Sequence, residues 1–327
     1  MKAALCHAFG DPRNPETIIV DDIAEPEPGP DEVVLRVAAT ALNFFDTLTV
    51  QDKYQFKPGL PFSPGAEVAG VIERLGSGVT GFTEGEAVLA YVQWNGAREK
   101  TLAKAADLIR IPEGVSDEAA ACVTVTYGTA IHGLRDRAHL QAGETLFVSG
   151  AAGGAGLAAV QLGKLMCARV IAGASSPEKL AICKAQGADE IVNYSEEDLK
   201  VRLKDLTDGV GVDVIYDCIG GDYAEPALRA MAWQGRFLVV GFAAGDIPKI
   251  PTNLLLLKGC SLVGVFWGVF ASREPERHRA GMDQVLEWCR TGALKPLIET
   301  IFPLQDTGKA LALIANRQAK GKIVIRP

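Results

Sequence analysis

In the first 122 residues, short runs of apolar and β-branched residues alternate with turns that are rich in proline and glycine. Residues 32–37 and 69–72 are two such runs, and residues 26–30 and 76–78 are two of the turns. Short strands separated by frequent turns are typical of a barrel or a sandwich. We therefore expect a β-rich domain over residues 1–122.

The pattern changes after residue 122, where apolar strand-like runs alternate with helical segments. The predicted strands lie at 145–148, 169–172, 190–192, 212–216 and 237–240, and two of the predicted helices lie at 154–166 and 177–186. This alternation indicates βαβ units, and thus an α/β fold with a parallel, doubly wound sheet over residues 123–265. Residues 266–327 contain an amphipathic helix at 278–290 and a strand at 322–326.

Composition and charge narrow the function classes. The chain has 327 residues, enough for two domains, and a formal net charge of −7. An acidic chain is a poor partner for nucleic acid or an anionic membrane surface. Its seven cysteines are dispersed and form no Cys-x-x-Cys pair, which suggests reduced thiols. With no signal-like or membrane-length apolar run in the sequence, we expect a cytoplasmic protein.

A glycine-rich turn separates the first predicted strand of the alternating region from its helix. Its glycines are Gly150, Gly153, Gly154 and Gly156. Glycines permit a tight turn and a close approach of the backbone to a pyrophosphate, and the helix N-terminus supplies N–H groups and a positive dipole end. Such a turn also serves as a plain connection. Because this one opens a series of βαβ units, it predicts a dinucleotide site.

The residues at the end of the second predicted strand indicate which dinucleotide the site binds. An NAD site normally has Asp or Glu there to bind the ribose 2′-hydroxyl. This chain instead has Gly173 and Ser175, followed by Lys179, and hydroxyl and ammonium groups suit a 2′-phosphate. The alternative is that Ser176 caps the next helix and Lys179 is a solvated charge. The missing acid is the stronger observation, so we predict NADP(H).

Short motifs occur in a fixed order along the chain. They are residues 42–46, 58–67, 126–130, 193–194, 239–242 and 321–324, in addition to the glycine turn. Together they resemble the zinc-independent medium-chain dehydrogenases/reductases, above all the quinone oxidoreductases and quinone oxidoreductase-like proteins. The resemblance covers nearly the whole chain. It implies a GroES-like catalytic domain, residues 1–122 and 266–327, with a Rossmann domain, residues 123–265, inserted into it.

The resemblance also implies roles for single residues. Asn43 and Tyr54 would face the substrate. The residues around the 2′-phosphate end of NADP(H) would be Gly173, Ser175, Lys179, Tyr194 and Arg317. The residues near the nicotinamide would be Thr126, Gly241, Phe242, Phe266 and Trp267. Members of this family commonly form homodimers through the edge of the Rossmann sheet, which implies a homodimer through residues 261–266 here.

Two positions separate this chain from the zinc alcohol dehydrogenases, in line with its resemblance to the zinc-independent family. Asn43 stands where those enzymes have a cysteine ligand, and Ala66 stands where they have a histidine. The four-cysteine lobe of the structural zinc is also missing, so we predict a metal-free protein. A further departure concerns the substrate, since some quinone reductases have a second tyrosine where this chain has Leu48.

Without a metal or an evident base, the site suits an acceptor that is already electrophilic. Quinones and α,β-unsaturated carbonyls take up hydride to give stabilised anions, so the enzyme mainly positions the reactants. We therefore predict NADPH-dependent reduction of a quinone-type acceptor. Two alternatives stay open: a reductase of enones, alkenals or enoyl thioesters, and a non-enzymatic relative that is crystallin-like or binds single-stranded nucleic acid. Acidity disfavours nucleic-acid binding.

Overall fold

The computed structural model describes residues 1–327, which form two compact units. Unit 1 consists of Met1–Val125 and Met282–Pro327, and unit 2 consists of Thr126–Gly281. The chain therefore leaves unit 1 once and returns to it once. No helix combines the length and the apolar character needed to cross a bilayer.

Most strands of unit 1 precede unit 2 in the sequence. In unit 1 come β1 (Lys2–Leu5), β2 (Ile19–Asp22), β3 (Glu32–Leu42), α1 (Phe44–Val50), β4 (Glu67–Leu75), β5 (Ala87–Tyr91), β6 (Lys100–Lys104), β7 (Ile109–Arg110) and α2 (Asp117–Ala121). Unit 2 begins with α3 (Thr126–Ile131), which continues as a π-helical turn (His132–Arg137).

The rest of unit 2 alternates strands and helices. Its elements are β8 (Thr145–Ser149), α4 (Gly154–Leu165), β9 (Arg169–Ala174), α5 (Pro177–Ala185), β10 (Glu190–Asn193), α6 (Leu199–Asp205), β11 (Val212–Asp217), α7 (Ala224–Arg229), β12 (Met231–Val239), α8 (Asn253–Lys258), β13 (Ser261–Gly264) and α9 (Trp267–Arg273). The return to unit 1 runs through α10 (Pro275–Arg290), β14 (Ile298–Pro303), α11 (Thr307–Ala315) and β15 (Lys322–Arg326).

A seven-stranded sheet forms the body of unit 1. Its strands lie in the order β14-β15-β3-β4-β5-β7, and β6 pairs with β3. The late strand β15 is an interior strand, parallel to β14 and antiparallel to β3, with Val324 opposite Ala41. The consecutive residues Val33, Val34 and Leu35 of β3 are all fully buried, so both faces of the strand are covered at this point. The β-rich nature of this part of the chain is confirmed.

Unit 2 contains a parallel sheet of six strands in the order β10-β9-β8-β11-β12-β13. The strand order reverses between β8 and β11, the switch point at which doubly wound sheets bind ligands. Both faces of the sheet are covered, so Leu146, Phe147 and Val148 are all fully buried. The predicted doubly wound parallel sheet is confirmed.

Two details differ from the sequence analysis. β12 begins at Met231 rather than at residue 237, with an irregular register between Val212 and Val214 of β11. Its early part resembles a turn because Gln234 has φ +59°. The second boundary lies after Gly281 rather than after residue 265, because α9 packs within unit 2: the Phe270 ring stacks on His132 at 3.6 Å between centroids.

Candidate functional site

The carboxyl ends of the six parallel strands of unit 2 gather most of the predicted cofactor residues at one edge of the sheet. In a doubly wound sheet this edge is where ligands bind. The residues that follow these strand ends are Gly150, Gly153, Gly154 and Gly156 after β8; Gly173 and Ser175 at β9; Tyr194 after β10; Gly241 and Phe242 after β12; and Phe266 and Trp267 after β13. Distant parts of the sequence thus meet at this edge of the sheet.

The glycine turn after β8 requires glycine at two positions. Gly150 has φ +63°, which favours glycine. A Cβ on Gly156 would lie 2.3 Å from the carbonyl oxygen of Gly150, closer than any real contact. Gly153 caps α4 without a side-chain hydrogen bond, so the backbone N–H groups of the first helical turn keep their capacity to bind a ligand. This cradle fits the pyrophosphate of a dinucleotide.

The end of β9 is equally restricted. A Cβ on Gly173 would lie 2.9 Å from the Phe147 ring and 3.2 Å from Tyr194. The side chains available beyond it are those of Ser175, which is exposed and hydrogen-bonded to Tyr194, and Lys179 in the first turn of α5. There is no carboxylate at this strand end, so the feature from which NADP(H) was predicted is present in the fold.

One part of the alternative raised from the sequence, the cap by Ser176, is confirmed. The Ser176 hydroxyl accepts a hydrogen bond from the Lys179 backbone N–H at 3.4 Å and thereby caps α5. Pro177 follows at the first helical position, where its missing N–H costs nothing. Ser176 therefore has a structural role, and the exposed hydroxyl at this strand end is that of Ser175, which contacts Tyr194.

Two groups at this edge were not predicted. Tyr223 places its ring 4.5 Å from that of Tyr194, between centroids. At the end of β11, Ser149 donates a hydrogen bond to buried Asp217, whose carboxylate also accepts the Gly220 N–H at 3.1 Å. Burial raises the pKa of Asp217. The Asp217 carboxylate thus shapes the loop that follows β11. No local sequence pattern identifies either group.

The other predicted nicotinamide residues differ in exposure. Thr126, the first residue of α3, and Trp267, the first of α9, are buried, whereas Phe242 and Phe266 are exposed. Arg317 belongs to unit 1, where it is exposed with φ +57°. The other predicted cofactor residues therefore belong to unit 2, whereas Arg317 belongs to unit 1.

Unit 1 contains a buried charged cluster made of Asn43, Glu67 and Lys322. Their exposed fractions are 7%, 0% and 2%, respectively. The Lys322 ammonium contacts the Glu67 carboxylate and donates to Asn43 Oδ1 at 2.7 Å, and Asn43 Nδ2 donates to Glu67 Oε1 at 2.9 Å. Glu67 Oε2 accepts the Val125 N–H at 2.7 Å. Neighbouring strands β15, β3 and β4 bring the three side chains together.

Asp46 lies next to this cluster on α1. Its carboxylate accepts the Asn43 N–H at 2.7 Å and the Gly65 N–H at 2.9 Å. Burial raises the pKa of Asp46 to about 7, although these two hydrogen bonds and the Lys322 charge act in the opposite direction. Asp46 thus fixes the backbone on both sides of the cluster, a role that the motif alone did not reveal.

The second predicted substrate residue, Tyr54, belongs to an aromatic group. Its ring stacks on Phe45 at 5.2 Å and meets Phe56 edge to face at 6.1 Å, between centroids. Burial, with a smaller contribution from the Asp46 charge, raises the pKa of the Tyr54 phenol. At neutral pH the phenol therefore keeps its proton and is a hydrogen-bond donor.

The residues at the metal positions do not offer the donors that zinc needs. The Asn43 amide and the Glu67 carboxylate are already bound to Lys322, and Ala66 has no donor atom. Burial raises the pKa of the Cys122 thiol, the nearby cysteine. The structure contains no group of three or more His, Cys, Asp or Glu side chains suited to a metal ion.

Comparisons with known families agree with the two-part architecture. Residues 29–127 match the alcohol dehydrogenase GroES-like domain, and residues 154–287 match the zinc-binding dehydrogenase family. The GroES-like and Rossmann parts of the predicted fold class are thereby confirmed.

Individual proteins are similar over the full length. A quinone oxidoreductase-like protein 2 homolog of Nematostella vectensis is 38% identical over 99% of this chain and 88% of its own length. The solved quinone oxidoreductase of Pseudomonas syringae pv. Tomato DC3000 is 32% identical with a TM-score of 0.91, covering 100% of this chain and 99% of its own. The Escherichia coli quinone oxidoreductase, solved in complex with NADPH, is 25% identical with a TM-score of 0.91, covering 100% of both chains.

Proposed function

Since this chain belongs to the quinone oxidoreductase family of the medium-chain dehydrogenase/reductase superfamily, we propose that it transfers hydride from NADPH to a quinone-type acceptor without zinc. Family membership makes the protein an oxidoreductase. The identity of the dinucleotide, the acceptor and the independence from zinc are the parts that we propose.

The observation that carries the choice of NADPH is the end of β9. The place where an acidic residue would repel a 2′-phosphate is filled by the rings of Phe147 and Tyr194 against Gly173. The Ser175 hydroxyl and the Lys179 ammonium follow and are the groups that bind a phosphate ester. The NADPH complex of the Escherichia coli relative supports the same choice.

The remaining unit 2 residues bind and orient the cofactor. When bound, NADPH supplies a hydride, which is a proton with two electrons. The turn at Gly150–Gly156 holds the pyrophosphate through backbone N–H groups and the positive end of α4. Thr126 and Trp267 provide buried, fixed positions at the nicotinamide end, where Phe242 and Phe266 add exposed apolar surface.

On the acceptor side, Asn43 and Tyr54 orient the oxygen that gains negative charge. Both are hydrogen-bond donors, and the Phe45, Tyr54 and Phe56 rings form an aromatic group beside Tyr54 that suits an aromatic acceptor. A quinone that takes up one hydride and one solvent proton becomes a hydroquinone, and NADP⁺ is the second product. No protein base is needed, because the reaction consumes a proton rather than releasing one.

An acceptor comparison tests this proposal. NADPH oxidation is followed with one quinone, one 2-alkenal and, in the NADP⁺-dependent direction, one primary alcohol at matched concentrations, with and without a chelator. We expect the quinone to react faster than the alkenal, negligible oxidation of the alcohol, no effect of the chelator, and a higher kcat/KM for NADPH than for NADH.

The possible contrary results separate the parts of the proposal. Equal kcat/KM values for NADH and NADPH would contradict the preference for NADPH that we infer from the missing acidic residue at the end of β9. An alkenal that reacts faster than the quinone would change the substrate class to activated alkenes and keep the mechanism. Substantial alcohol oxidation, or activity lost on chelation and restored by zinc, would overturn the metal-free mechanism.

We also propose a homodimer formed through β13. This strand is the last of its sheet and pairs only with β12, so its outer backbone groups are available for another strand. Apolar side chains around it are exposed: Leu256 at 80%, Leu257 at 70% and Leu262 at 38%. Such a patch beside an open sheet edge favours pairing with a second copy.

A further inference from the structure

The cluster of Asn43, Glu67 and Lys322 is costly for the fold. Removing a carboxylate and an ammonium from water costs several kcal/mol per ion, and such pairs often stabilise a protein no more than apolar residues would. Glu67 and Lys322 are nevertheless both buried in the sheet of unit 1, where apolar side chains surround them. A role in fixing geometry explains the pair better than stability does.

The hydrogen bonds of the cluster fix the Asn43 amide in one orientation. Its Oδ1 faces the Lys322 ammonium, which can only donate, and one Nδ2–H faces the Glu67 carboxylate, which can only accept. Rotation of the amide by half a turn would place donor against donor and acceptor against acceptor. One Nδ2–H is left over, so the amide can offer a hydrogen bond to a ligand.

We propose that Lys322 is a positioning residue that presents Asn43 as a hydrogen-bond donor to the oxyanion formed when the acceptor takes up hydride. This inference rests on the proposed function and names the chemical class of the acceptor, a carbonyl compound whose added electrons come to rest on oxygen. The ammonium withdraws electron density through Oδ1, which strengthens the free N–H as a donor.

Glu67 completes the arrangement by balancing the charge. It neutralises Lys322, and its second oxygen is held by the Val125 N–H at 2.7 Å. The Asp46 carboxyl, the Cys122 thiol and the Tyr91 phenol also interact electrostatically with members of the cluster, and burial raises the pKa of all three, which favours their neutral forms. A neutral quinone can therefore approach without a charge penalty, while the oxyanion gains a fixed donor.

A purely structural role, in which Lys322 only ties β15 to β3 and β4, is the competing explanation. The double variant Glu67→Gln/Lys322→Met separates the two, because it removes both charges together and leaves no unpaired buried ion. The single variant Lys322→Met serves for comparison, and Lys309→Met, on the exposed face of α11, is the matched control. Thermal unfolding confirms that each variant is folded.

Two measurements are made on each protein. The first gives kcat and KM for a quinone, together with the Kd of NADPH. The second titrates 4-nitrophenol in the presence of NADP⁺ by absorbance, because its phenolate resembles the product oxyanion and its pKa reports the donor directly. For the unmodified protein we expect the pKa of bound 4-nitrophenol to fall by about one unit.

In the double variant we expect kcat to fall about 10- to 100-fold with little change in KM or in NADPH affinity, and the lowering of the nitrophenol pKa to disappear. Lys309→Met should match the unmodified protein. An unchanged kcat in the folded double variant would overturn the inference, and so would equal losses in quinone and NADPH binding. If the protein reduces no quinone but lowers the nitrophenol pKa through Lys322, the proposed function fails and the inference stands. If it does not lower that pKa, the inference fails.

Discussion

A substitution of Lys179 alone can test whether the protein prefers NADPH to NADH. Lys179 lies in the first turn of α5, six residues after Gly173, where an NAD site normally has an acidic residue. We expect Lys179→Ala to weaken NADPH binding by roughly 10- to 150-fold, because one charge-assisted contact of about 1.5–3 kcal/mol is lost. NADH, which has no 2′-phosphate, should bind as before.

The measurement is the Kd of each dinucleotide from quenching of protein fluorescence. Lys184→Ala is the control, since Lys184 lies in the last turn of the same helix and donates to the Asp189 carbonyl. Equal losses for NADPH and NADH in Lys179→Ala would show that Lys179 supports the fold of the site rather than the phosphate.

At this scale, local patterns predicted some residues and missed others. Gly150 and Gly173 could be identified because a strand, a turn and a helix adjoin them in the sequence. Lys322 could not, because its partner Glu67 is 255 residues away and no local rule pairs them. A lysine at the start of an apolar strand is usually solvated, so only the strand order reveals that this one is buried.

Among the elements, α9 is held to the rest of unit 2 by a group of rings. Phe270 stacks on His132 at 3.6 Å, and Trp267 meets His278 edge to face at 5.4 Å, between centroids. The Asp136 carboxylate lies 3.1 Å from His132 Nδ1, within hydrogen-bond distance. Because Trp267 begins α9, the docking of this helix determines where the predicted nicotinamide residues lie.

This packing predicts an acid sensitivity. Burial, with smaller effects of Arg279 and His132, lowers the pKa of His278 to about 4, whereas an unfolded histidine has a pKa near 6.5. Between these values the unfolded chain binds more protons, so stability is complete above about pH 6.5 and falls as the pH drops towards 4. We expect the contribution of His278 to be about 1–3 kcal/mol over this range.

Urea unfolding at pH 7 and pH 5, followed by tryptophan fluorescence, checks this expectation. His278→Phe keeps an aromatic ring beside Trp267 and removes the ionisable group, so its stability should change less between the two pH values than that of the unmodified protein. An equal change in both proteins would assign the pH dependence to other groups.

Element boundaries were predicted best where one period dominates the sequence. β8, β9 and β10 are short apolar runs between a turn and a helix, and each was predicted to within a few residues. β12 was predicted too short, because Trp233, Gln234 and Gly235 interrupt its apolar pattern. Its pairing with β11 is a tertiary contact that the pattern does not contain.

For the whole molecule, the open edge at β13 predicts the assembly state. We expect the protein to be a dimer at micromolar concentration and Leu262→Lys to be monomeric, because a charge on an edge strand opposes pairing with a second strand. Light scattering after size-exclusion chromatography measures the mass. Ile19→Lys, at another exposed apolar position, on β2, is the control. A monomeric unmodified protein would refute the proposed interface.

The two-domain organisation was predictable because its two patterns differ so clearly, but the second boundary was not. The sequence places it after residue 265, where the strand–helix alternation ends. In the structure, α9 and the start of α10 stay with unit 2. Helical periodicity shows that a segment is amphipathic, but it does not show which of two bodies receives its apolar face.

The interior position of β15 has a consequence for the order of events during synthesis. Unit 2 is contiguous, so it can fold as soon as residue 281 has left the ribosome. The sheet of unit 1 remains open between β14 and β3 until β15 emerges. Glu67 and Lys322 are 255 residues apart, which at about 5–20 residues per second is roughly 13–50 s of translation. During that interval the nascent chain can contain a folded unit 2 and an incomplete unit 1, in which the Glu67 carboxylate does not yet have the Lys322 ammonium as its partner.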